Sequence, residues 1–514
     1  MHIQALALFI QQTMEAIQIL LLITSLFLLW SITKWLTKPS GKPKNFPPSP
    51  PTLPIIGNFH QLGQLPHRNL HLLAGKYGPL MLLHFGSVPV VVASSAEAAR
   101  EIMKTHDLNF GSRPVYKAYK KLLYDCKNVS AAPYGESWRK AKGIFVLQLL
   151  SNKRVQSYRW IREEETALLV KKIEECCSSS SSGGGRAAAP VNLTRLFSEL
   201  SVAGICRSAF GESENGKKFV ESMTELMEQL GTINVGDFIP WLSWISRVNG
   251  FDKRVERVAK DMDYFLEGVI QEHLENPEKA GNNSESFVHI LLRNYSSDAS
   301  SIDRERIKAL VQDVVVGGTD TISSVLEWVM TELLRHPNVM EKLQNEVREI
   351  VGGKSIVTDD DLAKMDYMKA VIKETFRYHM PAPMLLPRVA DKDVKIMGYD
   401  ISAGTMVMTN AWAIGRDPDL WDEPEKFDPE RFLNNTKNKS MDFRGLDFEL
   451  IPFGAGRRGC PGISFAAATI EFVLANLMLK FNWETQGKDL DNTESSGLTA
   501  HRATPLFAVA TRSI

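Results

Sequence analysis

Apolar residues recur with a helical period along most of this chain, and that recurrence sets the expected architecture. The spacing predicts helices over residues 156–175, 216–232, 255–274, 305–335 and 338–351. Around Gly86 the period changes. Leu80–Phe85 and Val88–Val92 alternate or run apolar on either side of that glycine, which reads as a hairpin. After about residue 385 strands return as short pieces, with Val394–Ile396 and Thr405–Thr409 as examples. No internal repeat is visible, and no linker divides residues 55–514. The pattern therefore predicts one large helix-rich domain, mainly α with small β-sheets (α+β).

The first residues follow a different pattern. From Ala16 to Ile32 there is no charge, close to the ~20 residues that span a bilayer. Lys34, Lys38, Lys42 and Lys44 follow this run, and no Lys or Arg precedes it. That asymmetry predicts a retained signal anchor over residues 1–38, single-pass, with the bulk of the chain in the cytosol. Trp30 and Trp35 fit an interfacial belt. A cleaved signal peptide is the rival reading, but its n-region would here lack any positive charge. Residues 39–54 carry Pro43, Pro47, Pro48, Pro50, Pro51 and Pro54, a stiff and extended hinge. Residues 178–185, five Ser and three Gly, read as a surface loop, and Gly281–Asn283 as a second exposed connection.

Composition narrows the function classes. Lys plus Arg number 60 and Asp plus Glu number 60 among 514 residues, so no bulk charge argues for nucleic acid. Five cysteines (126, 176, 177, 206 and 460) lack framework spacing, which suggests free thiols in a reducing compartment.

Cys460 stands apart. It lies in Phe453-Gly-Ala-Gly-Arg-Arg-Gly-Cys-Pro-Gly462, with no Cys or His at zinc-ligand spacing. A tight turn around a buried Cys is the bland reading. As a thiolate it suits the single axial ligand of a haem iron, the ligation that favours O–O cleavage. Arg457 and Arg458 would help keep the sulfur ionised, and the glycines would let the backbone lie close to a porphyrin. Phe453, Gly456, Arg458, Cys460 and Gly462 fill every fixed position of Phe-x-x-Gly-x-Arg-x-Cys-x-Gly. In this stretch the chain resembles the cytochrome P-450 family of haem–thiolate monooxygenases. Pro50–Asn58, Tyr134–Trp138 and Asn410–Pro418 look like the plant A-type branch. Val235–Trp244 and Leu83–Ser87 look closest to the subfamily containing menthofuran synthase, whose members act on terpenoids, indolic aldoximes and other specialised metabolites.

The resemblance assigns further roles. Val314-Val-Val-Gly-Gly-Thr-Asp-Thr321 sits inside a long apolar helical pattern, where two glycines cost roughly 1 kcal/mol each. In the family such a motif breaks the helix over the iron. By that likeness Thr321 and Asp320 are the catalytic pair that delivers protons. Ile322 stands where Thr or Ser is usual. Glu374 and Arg377, one turn apart, would join Arg431 in a structural lock on the haem loop. Trp138, Lys142 (where the family has Arg), Arg388 and Arg458 match positions that hold haem. The pocket by analogy draws on Gly317, Gly318, Ala382, Met384, Leu385 and Leu498. Arg139, Lys140, Lys153, Arg154 and Arg457 form a basic face for an acidic partner.

The implied cofactor is haem b, with Cys460 as the iron ligand. NADPH would act through NADPH–cytochrome P-450 reductase, with cytochrome b5 as a further donor, because no flavin or dinucleotide fingerprint is evident. The implied activity is hydroxylation or epoxidation of a small hydrophobic plant metabolite, a terpenoid by preference, with O2, at the endoplasmic reticulum membrane. Alternatives within the fold are a haem–thiolate dehydratase or isomerase, or a haem-binding protein without catalysis. The intact Asp320–Thr321 pair speaks against both.

Overall fold

The structure is a computed structural model that describes residues 44–179, 189–211, 219–276, 285–295, 303–433, 438–485, 490–495 and 497–513, together with part of 14–29. The chain divides into two compact units, Met1–Asn45 and Phe46–Ile514. In the first unit the described residues between Met14 and Leu29 are helical and exposed. Thr24 and Ser25 turn their hydroxyls back onto the carbonyls of Leu21 and Leu22, which hides those polar groups within the helix. The rest of the apolar run, most of the Ser/Gly segment and Gly281–Asn283 lie outside the described residues.

The second unit is built on helices α1 (Glu136–Ile144), α2 (Arg159–Ser179), α3 (Leu193–Phe210), α4 (Phe251–Glu275), α5 (Arg304–Arg335), α6 (Pro337–Val351), α7 (Asp366–Tyr378) and α8 (Ile463–Lys480). A further helix spans Phe219–Gly231. Each periodic segment expected from the sequence is a helix here, within a few residues. Local chemistry sets their ends. Asp303 caps α5 by accepting from the Arg306 N–H, and Pro337 opens α6 at its first turn. Gly352 closes α6 in the left-handed conformation, at φ 59°.

α5 is the axis of the fold. Its residues from Ile307 to Leu334 are buried on most faces, so a helix about 48 Å long runs through the protein rather than along it. It does not break at Gly317–Gly318, contrary to the expectation drawn from the resemblance. The reason is packing: a Cβ on Gly318 would collide with Ile205 of α3, so the glycine lets two helices touch. The helical ladder stays intact there, and Thr321 Oγ1 adds a second donor to the Gly317 carbonyl at 2.7 Å. Two core helices, α3 and α8, escaped the periodicity reading because they are buried over much of their circumference. Among the described residues α8 is the one helix long and apolar enough to cross a membrane, and most of it is buried within the protein.

The main sheet joins β1 (Leu80–Phe85), β2 (Val88–Ala93), β3 (Arg388–Val389) and β4 (Met406–Thr409) in the order β1-β2-β4-β3. The hairpin turns at Gly86 (φ 59°) and pairs Leu82 with Val91, as the alternation required. β2 then runs parallel to β4, Val91 opposite Val407, across more than three hundred residues of mostly helical chain. This long crossover brings the N-terminal sheet to the segment before the cysteine loop. Pro47 and Pro50 are buried, and the Leu82 N–H donates to the Pro48 carbonyl at 2.9 Å. The second half of the proline-rich stretch is thus laid against the sheet.

Candidate active site

Between α5 and the cysteine loop lies an apolar-walled cavity of about 350 Å³. Cys460, Phe453 and Gly462 contribute to its lining, as do Gly317, Gly318 and Thr321 of α5. Ala382, Leu385 and Leu498 line it too. Met384 does not; it packs instead against the apolar cluster of the main sheet, on the far side of an irregular segment whose neighbours Leu385 and Leu386 face the cavity. Gly456 is also off the cavity wall. Its φ of 68° and the Met103 carbonyl pressed against it leave no place for a side chain, so its role is to shape the loop.

The surroundings of the thiol are specific. The Gly462 N–H donates to Cys460 Sγ at 3.3 Å, and Lys142 Nζ donates to the Gly459 carbonyl at 2.8 Å. Burial pushes the Cys460 thiol up, while the Gly462 N–H and then the Lys142 ammonium pull it down. Lys142 is itself lowered to about 8, chiefly by burial. Arg457 and Arg458, expected to keep the sulfur ionised, are engaged elsewhere. Arg457 Nη1 pairs with Asp107 at 2.9 Å, and Arg458 donates to the carbonyls of Gly111, Val129 and Ala132. The Arg458 guanidinium lies over the Trp138 ring at 4.3 Å, and Trp138 donates to the Val129 carbonyl at 2.9 Å.

One rim of the cavity is rich in cations. Arg388 donates to the Ala455 carbonyl at 2.8 Å and pairs with Asp107 at 3.2 Å. Arg113, which the sequence reading overlooked, lines the same cavity and donates to the carbonyls of Ser130, Leu386 and Pro387. Burial, then the neighbouring Arg388 and Arg458, pushes Arg113 well below its ordinary range. Three guanidiniums that repel one another beside an apolar cavity fit a group bearing two carboxylates, and a haem is such a group. Gly317, whose missing Cβ would meet nothing within 4 Å, leaves open space on the facing wall. The residues present therefore fit haem: Cys460 would be its ligand, and Arg113, Arg388, Arg458 and Lys142 would be the cations available to its carboxylates.

Asp313 was also missed. Burial pushes its carboxyl up, although it accepts from the Val129 and Ser130 N–H groups, the Ser130 hydroxyl and the Asn128 amide. It ties the segment over the cavity to α5. An acid two turns before Asp320 on an apolar helix was the available signal. Asp320, by contrast, does not line the cavity: its carboxylate meets His501 Nε2 at 2.9 Å. Away from the cavity, Glu374 receives Arg377 at 2.7 Å and Arg431 at 3.1 Å, with Glu374 and Arg377 fully buried. The three lie together as expected.

A sequence profile described as Cytochrome P450 matches residues 47–507. The chain belongs to the cytochrome P450 family. It is 52% identical over 499 residues to cytochrome P450 71A8 of Mentha piperita, covering 95% of each chain. It is 48% identical over 504 residues to the tabersonine/lochnericine 19-hydroxylase of Catharanthus roseus, covering 95% of this chain and 96% of that one. Among solved structures, a zebrafish cytochrome P450 with abiraterone superposes with TM-score 0.72 at 23% identity, over 88% of this chain and all of that one, which shows the shared fold. This P450 is a plant monooxygenase of the haem–thiolate class.

Proposed function

We propose that this P450 hydroxylates or epoxidises a small hydrophobic plant specialised metabolite, a terpenoid by preference. The observation that carries the reading is one apolar cavity shared by Cys460 and Thr321. Bound haem b supplies oxygen activation, with electrons from NADPH relayed by a separate reductase. The protein's own residues do the rest. The Gly462 N–H and the Lys142 ammonium favour the charged sulfur. Arg113, Arg388 and Arg458 would hold the carboxylates of the haem at the rim. Val314, Leu385 and Leu498 give an apolar wall that orients substrate and excludes water. Thr321 presents a hydroxyl to the cavity, and Asp320 beside it governs the protons that hydroxyl passes on. The intact buried lock at Glu374 supports a structural role for it in retaining the haem loop.

Membrane attachment at the endoplasmic reticulum is supported by two features. One is the uncharged run Ala16–Ile32 with lysines only on its C-terminal side. The other is an apolar face of the second unit, where Ile55, Trp241, Trp244 and Val248 are each more than half exposed. Phe59 and Phe238 meet at 5.2 Å and draw these two segments together. Protease treatment of sealed microsomes tests the topology: digestion of the second unit from the cytosolic side is expected, and its protection would refute the orientation.

The catalytic test is product analysis in microsomes containing this P450 and a plant reductase, fed terpenoid, alkaloid and aldoxime panels. An NADPH-dependent gain of one oxygen is the expected outcome. Product formed equally well without NADPH would replace this reading with a dehydratase or isomerase.

A further inference from the structure

His501 sits behind the stretch of α5 that carries Thr321. It begins the short strand His501–Arg502, which pairs antiparallel with Glu494–Ser495. Its Nε2 lies 2.9 Å from Asp320 Oδ1, and its Nδ1 lies 3.8 Å from Glu327 Oε2. Asp320 and Glu327 are seven residues apart on α5, so they share one face and a single ring can span them. The first contact is a hydrogen bond and the second an ion-pair distance, so both carboxylates are served best when the ring is the imidazolium.

The surroundings reinforce this arrangement. Asp320 also accepts from Thr499, and the almost fully buried Glu327 accepts from Thr194 Oγ1. The neighbouring Arg502 donates to Thr331 Oγ1 and faces Glu327. Burial opposes the charge on His501, yet Asp320 and Glu327 raise it to about 9. Burial opposes ionisation of Asp320 too, and His501 overcomes it, so that Asp320 titrates below its ordinary range. The His501 side chain keeps about 30% of its surface open. It can therefore exchange protons with solvent while its partners stay fixed.

We propose that His501 is a positioning residue for proton delivery, its imidazolium bridging Asp320 and Glu327 so that Asp320 is held ionised behind α5, one residue from Thr321. The inference rests on the assignment of Asp320 and Thr321 to proton delivery made above. Without the bridge, Asp320 loses its fixed direction and its charge state, and reducing equivalents leak to hydrogen peroxide instead of product.

The test measures peroxide released per NADPH consumed, in membranes with reductase and the compound oxidised in the panel. His501→Gln, His501→Arg and Asp320→Asn are compared, each first shown to give the carbon monoxide difference spectrum of folded haem–thiolate protein. His501→Gln is expected to raise the ratio about threefold at pH 7, a modest share of what general acid positioning contributes. The natural protein should climb to the same ratio as pH passes about 9, whereas His501→Gln stays level. His501→Arg, which keeps a cation that does not titrate, should restore the low ratio and remove the climb. A second readout needs no turnover: the unfolding midpoints of the natural protein and His501→Gln should differ below pH 6.5 and converge above about 9. If Asp320→Asn leaves the ratio unchanged, the proton-delivery assignment fails. If Asp320→Asn raises it and His501→Gln does not, the assignment stands and the role of His501 is refuted.

Discussion

Two ionic clusters of similar ingredients serve this P450 in opposite ways. At Glu374 the carboxylate accepts from Arg377, Arg431 and the Asp428 N–H, while the remaining Arg377 donors reach the carbonyls of Gly415, Pro424 and Lys426. Glu374 and Arg377 have no exposed surface. At Asp320 the partner is a histidine, about a third of the pair is exposed, and the cavity lies one residue away. The first cluster binds two loops to α7 with a cation that keeps its charge at any working pH. The second uses a cation that can lose its charge. A closed network of arginine locks a fold, whereas an open one built on histidine can be adjusted.

Breaking the lock gives the largest expected effect. Glu374→Ala leaves Arg377 buried without its partner, a loss of about 3–5 kcal/mol. Haem-containing protein should then be absent from the carbon monoxide difference spectrum. Normal yield would show that the triad is dispensable. Next come the two glycines of α5, which look alike in sequence. Gly318→Ala drives a methyl group into Ile205 and should cost about 1–3 kcal/mol in thermal or denaturant unfolding. Gly317→Ala meets no neighbour and should gain up to about 1 kcal/mol from helix propensity, while narrowing the cavity and weakening substrate binding. Equal effects at the two positions would contradict the packing described here. The smallest effect is the one that pH exposes. The folded-state value for His501 is raised, so its stabilisation is complete below about 6.5 and disappears as pH rises through about 9. A stability profile over that range should lose this increment in the natural protein and not in His501→Arg.

Most of the helical framework was legible because amphipathic helices write their period into the chain. The hairpin at Gly86 and the strand at Met406–Thr409 were legible from short apolar or alternating runs, and Cys460 from its glycine and arginine setting. Helices α3 and α8 were not, since burial around much of a helix erases the period that marks it. Within the site, Met384 was misplaced because an irregular segment carries no rule for which side chain turns inward. Arg113, Asp313 and His501 were missed because each owes its role to residues far away in sequence: Leu386 and Pro387 for Arg113, Val129 and Ser130 for Asp313, Asp320 for His501.

Local spacing and side-chain type were enough to give the family and to single out Cys460 and the Asp320–Thr321 pair as candidates, because a motif needs no distant partner to be recognised. Tertiary structure decided which charges meet. It turned Arg457 to Asp107, set Lys142 beside the Cys460 loop, kept α5 continuous through Gly317–Gly318 and placed Asp320 against His501. Those outcomes depend on close packing and on pairing every buried charge, and both are settled only when distant parts of the chain compete for the same space.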